Sequence, residues 1–174
     1  MTSHILLVDS NDNEIGFEDK MIVHRKGLLH RAFSVFVLNQ KNELLLQRRS
    51  MEKYHSPGLW TNTCCSHAFE GETLLQSAHR RLMEEMGFDC DLKEIFAFTY
   101  RVEFDNDLIE HEIDHVFAGR FNGIPNPHPG EVCDWKFMAL KDLEKDLEWN
   151  AGNYTFWIKV AFQKFYESLK QGAF

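Results

Sequence analysis

The sequence predicts an α/β fold, α+β mixed, built on one mixed β-sheet. Segments of strand character alternate with segments of helical period along all 174 residues, the pattern of a sheet packed against helices. Short polar turns join successive strands, which indicates hairpins and a sheet that is not purely parallel. The length, with 15 Phe and 4 Trp, suits a single domain over 1–174 that buries a sizeable core. No repeat, linker or low-complexity tract divides it.

Taken in order, His4–Val8 reads as a short strand, and Ser10-Asn11-Asp12-Asn13 as a turn by composition. Phe17–His24 reads as one or two helical turns or as irregular chain. Leu28–Leu38 is rich in Phe and Val and apolar on both faces, as a central strand is. Asn39-Gln40-Lys41-Asn42 turns it into Glu43–Arg49, an antiparallel partner. Pro57-Gly58 breaks the pattern. Thr73–Met86 is the clearest helix: Leu74, Ala78, Leu82 and Met86 recur every four residues as a buried stripe. Arg80, Arg81, Glu84 and Glu85 fall on or beside its other face, and Gly87 sits where a helix ends. Asp91–Phe104 and Ile109–Phe121 are two further strands, followed by a proline-rich loop over Asn122–Gly130. Trp135–Leu140 reads as a final strand and Lys141–Glu148 as an acidic helix. Tyr154–Leu169 is a terminal helix with Trp157, Ala161 and Phe165 on one face.

Composition removes several function classes. A net charge of −8 argues against a nucleic-acid binder that works by neutralising phosphates. No run of eighteen apolar residues exists to span a membrane. Met1-Thr2-Ser3-His4 lacks the basic and apolar regions of a signal peptide. Four cysteines without a C-x-x-C pair make a poor disulfide framework and fit a reducing cytoplasm.

Chemistry concentrates in two stretches. Trp60-Thr61-Asn62-Thr63-Cys64-Cys65-Ser66-His67 holds a thiol pair and an imidazole. If it is extended, Cys64 and Cys65 face opposite ways, so one of them faces a site. Cys65 is then either a small apolar filler or, among charges, a proton donor or acceptor. Glu110-His111-Glu112-Ile113-Asp114-His115 places Glu110 and Glu112 on one face of a strand, about 6.5–7 Å apart. Such a pair is tolerated when a cation lies between the carboxylates or one is protonated; otherwise it marks a solvated edge. Of nine histidines, His24, His30 and His67 lie near strand or loop boundaries around these stretches. With the carboxylates they form an N/O donor set suited to Zn²⁺, Mn²⁺ or Mg²⁺. His4, His55, His79, His111, His115 and His128 read as surface or satisfied core histidines.

The segment Arg80-Arg81-Leu82-Met83-Glu84-Glu85-Met86-Gly87-Phe88, with Glu72 before it, resembles the Nudix box, G-x5-E-x7-R-E-U-x-E-E-x-G-U. Two positions depart. Ser66 stands where the box begins with Gly, and Arg81 replaces the first Glu of its core, a metal-binding and often catalytic position in the hydrolases.

Box, T-N-T-C-C-S-H and E-x-E in this order, with His24, Leu29–Ser34, Pro57-Gly58 and Tyr100, resemble the type I isopentenyl diphosphate isomerases over most of the chain. The resemblance implies a Nudix-like sheet sandwiched between helices. It implies interconversion of isopentenyl and dimethylallyl diphosphate by a 1,3-allylic proton shift through a tertiary carbocation, a step of isoprenoid precursor biosynthesis. It carries the roles of proton donor and acceptor to Cys65 and Glu112, without fixing which is the acid, and a relay or positioning role to Tyr100. It implies one divalent ion (Mn, Mg or Zn) on His24, His30, His67, Glu110 and Glu112, and Mg²⁺ on Glu85 with the substrate diphosphate. Lys20, Arg49, Lys53 and Arg81 match the diphosphate clamp. Trp157 matches the aromatic that stacks on the cation, although a core Trp on an amphipathic helix fits the sequence equally. The implied partner is a small diphosphate, with no nucleic acid or membrane, and the protein a monomer or weak dimer. Two other readings compete. A Nudix pyrophosphohydrolase keeps the fold but is opposed by Arg81. A non-enzymatic metal-binding module is opposed by the scattered ligands.

Overall fold

The computed structural model describes residues 4–174; the reading of the first three residues lies outside them. The first strand, β1 (His4–Val8), pairs antiparallel with β2 (Glu14–Asp19). The Asp9 carboxylate builds the turn between them by accepting the amide hydrogens of Asn11 and Asn13. The segment left open in the sequence resolves into two elements: Phe17 belongs to β2, and helix α1 (Lys20–Lys26) follows. Asp19 caps α1 by accepting from the Met21 and Ile22 amides at 2.9 and 3.2 Å.

The central strand is β3 (His30–Leu38). The predicted hairpin with β4 (Glu43–Arg49) forms only at its tip, where Leu38 faces Leu44. The two strands then splay. Most of β4 pairs with β9 (Val132–Ala139), which starts three residues before the predicted Trp135. Two short strands that the sequence did not announce fill the split. β5 (Trp60–Thr61) pairs with β4, and β6 (Cys64–His67) pairs with β3. The Thr61-Asn62-Thr63 run is the polar staple of this crossing. The Thr63 hydroxyl accepts from the Val37 amide at 2.9 Å and donates to the Leu45 carbonyl at 2.7 Å, so it bonds both splayed strands. Asn62 donates to the carbonyls of Val35 and Cys64. All three residues are fully buried, so each polar group needs these partners.

The sheet is mixed because β8 (Ile109–Arg120) runs parallel to β3, from His30 opposite Glu112 to Leu38 opposite Arg120. On its other edge β8 takes β7 (Leu92–Glu103) antiparallel, with Tyr100 opposite Glu112.

Helices cover both faces, which explains why β3 is apolar on both. Against one face lies α2 (Leu74–Met86), whose Ala78, Leu82 and Met86 pack on Val35, Val37, Leu45, Cys64 and Phe117. Truncating Leu82 here would cost roughly 2–5 kcal/mol. Against the other lies α4 (Phe156–Lys170), whose Trp157, Ala161 and Phe165 meet Phe36, Leu38, Leu44, Phe98 and Tyr100. Helix α3 (Leu140–Trp149) adds Leu143 to this layer. A capping box between Thr73 and Gln76 starts α2, and Gly87, at φ 71°, ends it. A Cβ at Gly87 would sit 2.2 Å from the Asn126 carbonyl oxygen, so the loop after β8 docks where only glycine fits. Among the described residues, no helix is long and apolar enough to cross a membrane.

Candidate active site

Five side chains from four elements converge: His24 of α1, His30 of β3, His67 of β6, and Glu110 and Glu112 of β8. Each offers one ligand atom, and these atoms lie within 4.8 Å of one another. The ladders dictate the meeting. His30 stands opposite Glu112 and Ala32 opposite His67, while Glu110 and Glu112 share a face of β8. His24 Nε2 lies 3.1 Å from Glu110 Oε2, His67 Nε2 2.9 Å from Glu112 Oε1, and His30 Nε2 3.3 Å from Glu112 Oε1.

The outward nitrogens fix the inward ones. His24 Nδ1 lies 2.6 Å from the Lys20 carbonyl and His30 Nδ1 2.9 Å from that of Leu28. A proton donated there leaves a lone pair on each Nε2, the arrangement usual for metal-ligating imidazoles. Buried His24 Nε2 and Glu110 Oε2 satisfy no hydrogen bond despite their proximity. Converging acceptors without donors fit a divalent cation. Burial holds the His67 imidazole down to about 3, so its ring is neutral at ordinary pH. Burial and the Glu110 charge push the Glu112 carboxyl up, but the His30 and His67 imidazoles outweigh them, and the net direction is down.

Next to this cluster a cavity is lined by Cys65, Tyr100, Glu112 and Trp157. The Tyr100 hydroxyl donates to Glu112 Oε2 at 2.6 Å. Burial pushes the Cys65 thiol up to about 12, with Arg49 opposing, so it carries its proton at neutral pH. Cys64 points away, into the α2 layer. Trp157 is buried on the cavity wall, with its Nε1 unpartnered.

The same cavity is also lined by Lys20, Arg49, Lys53, Arg81 and Glu85, with the Arg49 guanidinium 5.3 Å from the Trp157 ring. Glu85 is buried, contrary to its expected place on or beside the polar face of α2. It is held by Arg81 at 2.6 Å and by Gln47, which donates to its second oxygen at 2.8 Å. Arg81 also donates to Glu131, which binds Lys53 as well. Burial pushes the Glu131 carboxyl up, but Lys53 and Arg81 outweigh it and hold it low. The first box carboxylate, Glu72, is not in the cavity. It takes a two-point bond from Arg80, both contacts 2.8 Å, and ties the loop to the helix.

The description of the NUDIX domain family matches residues 28–158. The chain is 48% identical over 164 residues to the isopentenyl-diphosphate Delta-isomerase 2 of Aromatoleum aromaticum, covering 94% of this chain and 87% of that protein. It is 50% identical over 159 residues to the isopentenyl-diphosphate Delta-isomerase 2 of Photorhabdus laumondii subsp. laumondii, covering 91% and 90%. The chain belongs to the Nudix isopentenyl-diphosphate isomerases. The fold has a further likeness in DR0079 of Deinococcus radiodurans, with a TM-score of 0.76 at 16% identity, over 92% of this chain and 98% of that one.

Every residue singled out for the site lines this cavity or belongs to the adjoining His/Glu cluster. Sequence reasoning passed over several others. Ser34 donates to Asp114 at 2.7 Å behind Cys65, and burial, then the Glu112 charge, pushes the Asp114 carboxyl well above its usual range. Asp114 carried a signal, since it lies two residues past Glu112 on the same face. Tyr54 and His55 line the cavity from the loop after β4, where no periodicity could have flagged them. His55 was read as surface or core. It is a core residue, with Nε2 3.1 Å from Glu110 and Nδ1 without a partner.

Proposed function

We propose that this isomerase moves a proton across an unactivated alkene between Cys65 and Glu112, interconverting isopentenyl and dimethylallyl diphosphate. The observation that carries the reading is that one cavity joins both proton carriers to four cations able to hold a diphosphate. One group protonates the terminal carbon, which leaves a positive charge on the tertiary carbon. The other removes a proton from the adjacent methylene, and the double bond shifts. The protonated thiol of Cys65 and the hydrogen-bonded carboxylate of Glu112 suit these parts, and Tyr100 orients Glu112. The Trp157 ring faces the carbocation, an attraction worth ~2 kcal/mol or more when desolvated. The buried wall keeps out water that would capture the cation.

His24, His30, His67, Glu110 and Glu112 hold one Mn²⁺, Mg²⁺ or Zn²⁺. Such an ion supplies fixed positive charge that orders the ligands and tunes the acidity of Glu112. Glu85 holds Mg²⁺ together with the substrate diphosphate, while Lys20, Arg49, Lys53 and Arg81 clamp its oxygens. The guanidinium of Arg81, where a hydrolase carries a carboxylate, binds the diphosphate without delivering water to phosphorus. Free cysteines throughout support a reducing, cytoplasmic setting. The charge of −8 supports a small-molecule partner and not nucleic acid, acted on by a monomer or weak dimer. Incubation with isopentenyl diphosphate and Mg²⁺ tests the proposal. Dimethylallyl diphosphate without inorganic phosphate is the expected product, and phosphate release without isomerisation overturns it.

A further inference from the structure

The loop between β4 and β5 carries a histidine that none of these roles uses. His55 is 8% exposed. Its Nε2 lies 3.1 Å from Glu110 Oε1. That oxygen is not the one facing the ligand cluster: His24 and His30 lie 3.1 and 3.8 Å from Oε2. His55 stands outside the group of converging ligand atoms. Its ring stacks on Phe104 at 5.3 Å and meets the edges of Trp157 at 5.6 Å and Tyr54 at 4.5 Å. Its Nδ1 has no partner. In that apolar setting the ring proton belongs on Nε2, the nitrogen that lies next to Glu110. The main chain of the loop is pinned separately, because Arg49 donates to the His55 carbonyl at 3.2 Å.

We propose that His55 is a positioning residue of the metal centre, whose Nε2–H holds the outer oxygen of Glu110 and leaves Oε2 as that residue's single ligand atom. A carboxylate free on both oxygens can rotate and bind an ion through either or both. One that is held on Oε1 presents one oxygen in one direction. Partners of this kind are worth about 10–100-fold in metal affinity or activity. The same ring braces Trp157, so the residue that aims the metal ligand also sets the wall against which the hydrocarbon lies.

This inference rests on the metal reading of the five-residue cluster, and the test separates the two. Co²⁺ is titrated into parent, His55→Phe and His55→Gln proteins, each first stripped of metal, and both the affinity and the visible absorption are recorded. His55→Phe keeps an aromatic ring and loses the donor. His55→Gln loses the ring and keeps an N–H at the same reach. The expected result is Co²⁺ binding weakened about 10–100-fold by Phe, with an altered Co²⁺ spectrum, and restored by Gln to near the parent value. Equal affinity of parent and Phe proteins overturns the proposal, as does equal weakening by Phe and Gln. If the Phe variant does not fold, His55→Ala against His55→Gln supplies the same contrast. A parent that binds no Co²⁺ overturns the metal reading and this proposal with it, whereas tight binding that ignores His55 overturns this proposal alone.

Discussion

Replacing Thr63 by valine keeps the shape of a fully buried side chain and removes one oxygen. That oxygen closes the split between β3 and β4, accepting from Val37 and donating to Leu45. The substitution leaves a buried amide and a buried carbonyl facing a methyl group. Each such group costs about 1–3 kcal/mol. Allowing for relaxation and for the apolar gain of the extra methyl, the loss should be roughly 2–4 kcal/mol. For a chain of this size each kcal/mol moves the melting temperature by about 2–4 °C, so the fall is on the order of 5–15 °C. Urea unfolding of parent, Thr63→Val and Thr63→Ser measures it directly. The serine variant keeps both bonds and should lie within about 1 kcal/mol of the parent. A valine variant that loses under about 0.5 kcal/mol, or a serine variant that loses as much as valine, would refute the staple.

Other expectations concern the site. Cys65→Ala should retain metal content and fold while turnover drops by about 10²–10⁴-fold, the usual worth of a positioned proton carrier. Cys64→Ala should cost about 1 kcal/mol of stability and spare turnover; the reverse pattern would show that the two thiols have been assigned to the wrong faces. Glu112→Gln should weaken both metal binding and turnover, checked by metal analysis beside steady-state rates, and a variant with full metal and near-normal turnover would contradict its double role. Chelation should lower the melting temperature, because a ligand bound at 100 times its Kd stabilises by about 2.7 kcal/mol, and re-addition of the ion should restore it. At acid pH, the hydrogen bonds from Arg80 hold Glu72 down to about 2 from an ordinary 4.5. A depressed folded pKa gives stability that is present above the unfolded value and lost as pH falls towards the folded one. The stability gap between parent and Glu72→Gln should therefore close between about pH 4.5 and 2; a gap constant across that window would remove Glu72 from the acid limb.

Much of the fold was legible because it follows from short-range pattern. The four-residue stripe of Leu74, Ala78, Leu82 and Met86 specifies α2, and an apolar run without alternation marks β3 as buried on both faces. What escaped depends on partners distant in sequence. β5 and β6 are short and polar and exist only because β3 and β4 part company. The turn at 39–42 does reverse the chain, yet beyond Leu44 the pairing belongs to β9, some ninety residues on. Glu85 reads as surface because a charge on a helix usually is; its burial needs Arg81 one turn back and Gln47 from another strand. The site itself came from motif resemblance, since no local spacing brings together ligands from α1, β3, β6 and β8. His55 had neither motif nor period. Only the fold of its loop over Glu110 gives it a place.

The adjacency of Cys64 and Cys65 has a consequence for how the crossing segment could change length. Successive side chains of β6 alternate between the α2 layer and the cavity side. Inserting one residue before Cys64 would exchange the two sides throughout the strand. A thiol would still reach the cavity, because one cysteine would take the place of the other. The imidazole would not be so covered: Ser66 would stand where His67 now meets Glu112. The doublet thus keeps a thiol on the cavity side but cannot keep the imidazole beside Glu112, and it is the histidine that sets the number of links between the staple and the strand end.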